Sequence, residues 1–204
     1  MIYLDSAATS FLKPPGVKAA MMYAMDTMSS PGRGAYNAAM HAADKVYECR
    51  ELACRLFNFD KPEHVVFTLN ATHALNIAIK TLARRESRVV ISGYEHNSVT
   101  RPLHEAGAKV SVAAGRLFDR NSALAAFEEK IPGADLVVCN HVSNVFGFIQ
   151  PVYEISEICS RFGVPLIIDA SQSAGLEELD ADRLNADFIA MPGDRKSTRL
   201  NSSH

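Results

Sequence analysis

The chain holds 204 residues, 48% of them hydrophobic and 22% charged, with a formal net charge of −2. That length and balance suit a water-facing globular fold with a sizeable core, and the near-neutral charge leaves no footprint for nucleic acid or an anionic membrane. No apolar run approaches the roughly 20 residues of a membrane helix. The start, Met1-Ile-Tyr-Leu-Asp-Ser6, lacks a signal peptide's basic and apolar regions, so a cytoplasmic location is expected.

In chain order, residues 15–28 and 37–57 read as helices, joined by the Pro/Gly-rich loop Ser29-Ser-Pro-Gly-Arg-Gly34. Val65-Val-Phe-Thr68 reads as a strand. Ala74, Leu75, Ala78, Ile79 and Leu82 then recur at spacings of three and four and make one helix face. Arg88–Ser92 is the next strand, followed by a helix over 98–106, the strand Val110–Ala113 and a helix over Ser122–Lys130. Asp135–Cys139, a helix over Val152–Arg161, Val164–Asp169 and Asp187–Met191 continue the alternation. Alternating β and α segments with uninterrupted apolar strands predict an α/β fold, a mostly parallel sheet covered by helices.

The cysteines Cys49, Cys54, Cys139 and Cys159 form no Cys-x-x-Cys pair and no metal-ligand spacing, so no metal is expected. They read as reduced thiols used partly as small hydrophobes. Residues 194–204, Asp-Arg-Lys-Ser-Thr-Arg-Leu-Asn-Ser-Ser-His, hold one apolar residue and no periodicity. They read as a disordered, non-native tail, similar to the translation of a sequencing adapter, and are set aside from the fold.

Chemistry-bearing residues cluster where strands end. Asp169 closes the apolar run Val164–Asp169. A carboxylate there either caps the next segment or meets a cationic ligand group, such as the protonated ring nitrogen of pyridoxal phosphate. Asn70-Ala-Thr-His73 opens a helix. The amides of Ala71, Thr72 and His73 there suit an anion such as phosphate, while Asn70 or Thr72 suits a cap. His96, in Glu95-His-Asn-Ser98, is either solvated or stacks on a flat ring and carries protons. Asn144 reads as a turn residue or as a donor to a phenolic oxygen, a role open to Gln172 as well. In a parallel sheet these loops share one edge, and together they match pyridoxal phosphate group by group.

Tyr3-Leu-Asp-Ser-Ala-Ala-Thr9, Pro31-Gly-Arg-Gly34, Asn70-Ala-Thr-His-Ala-Leu-Asn76, Glu95-His-Asn-Ser-Val99, His141-Val-Ser-Asn-Val145 and Asp169-Ala-Ser-Gln-Ser-Ala-Gly175 extend the pattern over nearly all of residues 1–193. In these motifs the chain resembles the cysteine desulfurase branch of the class V aminotransferases. The resemblance implies the aspartate-aminotransferase fold, pyridoxal 5'-phosphate as cofactor, L-cysteine or a relative as substrate, a homodimer, and a sulfur-acceptor protein. It implies that Ala71 and Thr72 lie at the phosphate, that His96 stacks on the ring and carries protons, that Asn144 and Gln172 approach the phenolic oxygen, and that Asp169 pairs with the ring nitrogen. The family reaction would convert L-cysteine to L-alanine, passing sulfur to a cysteine persulfide.

The sequence departs from that family at one place. The family motif ends in Gly-His-Lys, whose lysine is the Schiff-base residue. Here Gly193 is followed by Asp194, Arg195 and Lys196. Arg195 stands in the lysine column and cannot take the role, because its guanidinium stays protonated. Lys196 is one position late and belongs to the set-aside tail. None of the four cysteines matches the family's sulfur-accepting loop. The expectation is therefore an N-terminal enzyme fragment, inactive and poorly folded alone, with exposed apolar sheet edges. The rival readings are another class V enzyme, a selenocysteine lyase or an aminotransferase, and a non-catalytic binding module of the same fold.

Overall fold

A computed structural model of the chain describes residues 11–193. Within it the chain forms two compact units, one running up to Phe67 and the other spanning Thr68–Gly193.

The first unit carries α1 (Pro15–Thr27) and α2 (Asn37–Leu56), both within one residue of their predicted limits. Pro15 opens α1, where its missing N–H costs nothing and its fixed φ already suits a helix. The intervening segment is a loop, as its composition requires, with Gly32 at φ +78°. Ser29 Oγ and Tyr36 Oη meet across it at 2.7 Å. α2 buries Ala39, Ala42 and Cys54 on one stripe. A short 3-10 turn, Pro62–His64, follows.

The predicted strand Val65–Thr68 does not form. Among the described residues no ladder partner lies beside it, and Val66 and Phe67 remain 74% and 53% exposed. β-branched and aromatic residues fit a pleated, half-buried surface, but pairing decides whether that surface exists. Val65 N–H instead closes the 3-10 turn on Pro62 O at 3.1 Å.

The second unit is a five-stranded parallel sheet: β1 (Arg88–Ser92), β2 (Lys109–Ala113), β3 (Leu136–Asn140), β4 (Leu166–Asp169) and β5 (Phe188–Ala190), in the spatial order β2-β1-β3-β4-β5. The parallel α/β architecture is thus as read from the sequence. Helix α3 (Ala71–Leu82) leads into β1, and α4 (Asn97–Glu105), α5 (Arg120–Lys130), α6 (Val152–Phe162) and the short α7 (Ala181–Leu184) connect the strands. β3 and β4 are buried along their whole length. This explains their unbroken apolar runs, because a parallel strand is covered on both faces.

Alternate strand residues face alternate layers. Val89, Ile91, Leu136, Val138 and Ile167 pack into one cluster with Leu75 and Ile79 of α3 and Val99 and Leu103 of α4. The intervening Val90, Val137, Cys139 and Ile168 are equally buried and face the layer of α5 and α6, which supplies Phe127, Ile131, Ile155 and Ile158. The two layers follow from connection handedness. The chain steps from β1 to β2 in one direction and from β2 to β3 in the other, so right-handed crossovers send α4 and α5 to opposite faces. Gly163 ends α6 at φ +63°, a left-handed cap with Val164 N–H returning to Cys159 O at 3.0 Å. Gly115 is required by space: a Cβ there would lie 2.4 Å from the Ala123 Cα of α5.

Candidate functional site

A parallel sheet puts every strand's C-terminus on one edge. Strand order in this sheet reverses between β1 and β3, and the crevice outside such a switch point is where open α/β sheets hold ligands. α3 reaches the N-terminal end of β1 through residues 83–87, so its own N-terminus lies back at the edge that carries the strand C-termini.

That N-terminus holds Ala71 and Thr72, capped by Asn70, whose side chain accepts from His73 N–H at 2.8 Å. The cap alternative therefore falls to Asn70, and it takes the His73 amide. Ala71 and Thr72 stand in the first turn, where backbone N–H groups have no intrahelical acceptor and the helix dipole favours an anion. Asn76 Nδ2 donates to Thr72 O at 2.9 Å and braces this turn.

His96 is exposed and begins α4. Its Nδ1 accepts from Ser98 N–H at 3.1 Å and meets Ser98 Oγ at 2.9 Å. The ring is thus oriented by its own helix cap. Sequence reading could not see this, since histidine is not among the usual N-cap residues.

Asn144 sits in the exposed turn that follows β3. That segment folds back as a small hairpin. Val142 bridges Ile149, Ser143 N–H donates to Phe148 O at 3.0 Å, and Gln150 N–H donates to His141 O at 2.9 Å. Ser143 Oγ accepts from the Val145 and Phe146 amides and fixes the turn. Asp169 is the last residue of β4 and only 6% exposed. Its Oδ1 accepts from Ser171 N–H at 2.9 Å, a local turn bond and not the cap of a helix. Gln172 lies in the same turn and is buried. In register, Asp169 stands between Asn140 of β3 and Ala190 of β5, in the sheet interior.

Three residues at this edge carry no role in the sequence reading. Glu95 Oε1 accepts from Ser92 Oγ at 2.5 Å and from Asn140 N–H at 2.8 Å, and Asn140 Nδ2 donates to Tyr94 O at 2.7 Å. His141 is buried with Nδ1 unpaired, and burial holds its imidazole below the ordinary value, so it is neutral at physiological pH. A charged residue inside a motif read for its neighbour gave no periodic signal that could have singled out Glu95.

Cys54, Cys139 and Cys159 are buried and Cys49 is exposed. Burial pushes the Cys139 thiol well above its ordinary value and Cys159 up to about 12, so both stay protonated and inert. Among the described residues no cluster of His, Cys, Asp and Glu could hold a metal ion, and no helix is long and apolar enough to cross a membrane. Arg195 and Lys196 lie outside the described residues.

Comparison with known proteins places the chain. The family model "Aminotransferase class-V" matches residues 2–196. A probable cysteine desulfurase of Methanothermobacter thermautotrophicus is 35% identical over 199 residues, which are 94% of this chain and 49% of that protein. One of Pyrococcus abyssi is 32% identical over 200 residues, 95% of this chain and 49% of the relative. The apo structure of a cysteine desulfurase from Thermococcus onnurineus NA1 superposes with a TM-score of 0.85 at 33% identity, over 95% of this chain and 50% of that one. The chain thus spans about half the length of the relatives it matches. Its parallel sheet with flanking helices is the corresponding part of that fold. On a match running almost from end to end, this chain belongs to the class-V aminotransferase family, whose members are pyridoxal-phosphate-dependent enzymes.

Proposed function

We propose that residues 68–193 form the pyridoxal-phosphate-holding part of a cysteine desulfurase, the whole enzyme converting L-cysteine to L-alanine with transfer of sulfur to a cysteine persulfide. The observation that carries this reading is Asp169: a buried carboxylate at the end of an interior parallel strand, on the same sheet edge as a helix N-terminus and an oriented imidazole. Burying an acid there is costly unless a cationic or donating group meets it, and Ser171 N–H is one donor to one oxygen.

The residues fit the cofactor's chemistry. Ala71 and Thr72 at the start of α3 would hold the phosphate, through two amides and the Thr72 hydroxyl. Asp169 would face the ring nitrogen and favour its protonated form. His96 would lie over the ring, its Nδ1 already engaged and its Nε2 the atom able to hold or release a proton. Asn144 and Gln172 would approach the phenolic oxygen. Pyridoxal phosphate, when bound, supplies an electron sink for charge developing at the substrate's α carbon. A homodimer, a separate sulfur-acceptor protein and a cytoplasmic setting belong to the same proposal.

The sulfur-accepting thiol is not among Cys54, Cys139 and Cys159, which are sequestered. Equilibrium dialysis against pyridoxal phosphate tests the reading. Asp169→Asn is expected to retain pyridoxal phosphate at least about tenfold more weakly than the parent chain, about 1.4 kcal/mol. Equal retention by both would contradict it.

A further inference from the structure

Glu95 lies at the topological switch point and joins the two strands that flank it. Its Oε1 accepts from Ser92 Oγ at the end of β1 and from the Asn140 amide at the end of β3. The bonding continues around it: Tyr94 N–H donates to Ser92 Oγ at 3.1 Å, and Asn140 Nδ2 donates to Tyr94 O at 2.7 Å. The ring of bonds therefore runs Tyr94, Ser92, Glu95, Asn140 and back to Tyr94. His96 is the next residue in the chain, and Asn140 stands in register beside Asp169. The second carboxyl oxygen, Oε2, is buried with no hydrogen-bond partner.

We propose that Glu95 is a positioning residue for this site: its carboxyl ties the ends of β1 and β3 together and so fixes the backbone that presents His96 beside Asp169. The inference rests on the cofactor reading only in naming what His96 is presented to. A buried carboxylate with one bare oxygen is costly, and the cost falls if that oxygen carries a proton. The groups that face Glu95 agree. Ser92 of β1 and the Asn140 amide of β3 donate to Oε1, Cys139 of β3 is a protonated thiol, and Asp169 of β4 is a second acid. Burial, with a lesser contribution from Asp169, outweighs the hydrogen bonds from Ser92 and the Asn140 amide and pushes Glu95 up to about 8. The neutral acid keeps both acceptor bonds without adding a second negative charge beside Asp169. The sequence offers no hint of this, since a Glu in a loop reads as solvated.

The pH dependence has a definite sign. Between about 4.5 and about 8 the folded chain holds a proton on Glu95 that the unfolded chain has lost. Stability contributed by that proton is present below this window and disappears as pH rises through it. Glu95→Gln is neutral throughout and preserves an acceptor at the Oε1 position.

Two measurements on the full chain test the proposal. First, thermal unfolding is followed from about pH 5 to about pH 8.5. The parent's melting temperature is expected to fall by several degrees relative to Glu95→Gln across that range, and parallel profiles would overturn the claim. Second, pyridoxal phosphate is titrated into the parent, Glu95→Gln and Glu95→Ala. Glu95→Gln should bind within about twofold of the parent and Glu95→Ala about tenfold or more weakly. Equal affinity in all three would overturn the positioning role. No binding by the parent itself would refute the cofactor reading, and the melting profiles would then decide the tie between the strands on their own.

Discussion

At the scale of single residues, environment separates groups of the same kind. Asp169 ends β4 and Glu95 follows β1 on the same sheet edge, yet Asp169 receives a turn amide while Glu95 receives two donors on one oxygen and none on the other. The cysteines divide in the same way. Cys49 is exposed, whereas Cys54, Cys139 and Cys159 are buried with their thiols pushed upward by burial. A thiol reagent at neutral pH is therefore expected to label one cysteine rapidly in the folded chain and all four after denaturation. Rapid labelling of two or more in the folded chain would contradict this packing. The sequence supported the bland reading of these thiols because no spacing marked a metal or redox pair. It could not rank them, since exposure depends on which face of a strand or helix each occupies.

At the scale of elements, long and strongly patterned segments were legible. β1, β3 and β4 show as continuous apolar runs because both their faces are covered, and α3 shows its stripe at Leu75, Ala78 and Ile79. Two short elements were not. Val65–Thr68 has strand composition without a partner among the described residues, and α7 is four residues long, too short for a helical period to register. The candidate site followed the same rule. Ala71, Thr72, Asn144, Asp169 and Gln172 stood out as candidates because they sit at the ends of legible elements, and a parallel sheet gathers those ends. The Nδ1 bond of His96 and the carboxyl tie of Glu95 were missed because both depend on atoms meeting in space. The cap of α3 gives an element-scale prediction. Asn70→Ala removes the acceptor for His73 N–H and should cost about 1 kcal/mol, a fall of about 2–4 °C in melting temperature for a domain of this size. An unchanged melting temperature would mean that the cap contributes nothing.

At the scale of the whole molecule, function follows from topology. The order β2-β1-β3-β4-β5 creates the switch point between β1 and β3, the place outside which open α/β sheets hold ligands. The α3 N-terminus and the Asp169 turn complete the same edge. The chain spans about half of the relatives it matches, and in the reading proposed above the groups on this edge hold the cofactor. The central claim is that this edge binds pyridoxal phosphate in one fixed orientation through Asp169. Visible circular dichroism tests it most directly, because only a cofactor held in a chiral site gives a band, whereas adducts on mobile surface lysines give almost none. Adding one equivalent of pyridoxal phosphate to the parent chain should induce a visible band that Asp169→Asn loses or greatly reduces. A parent without the band, or a variant that keeps it at full strength, would contradict the account.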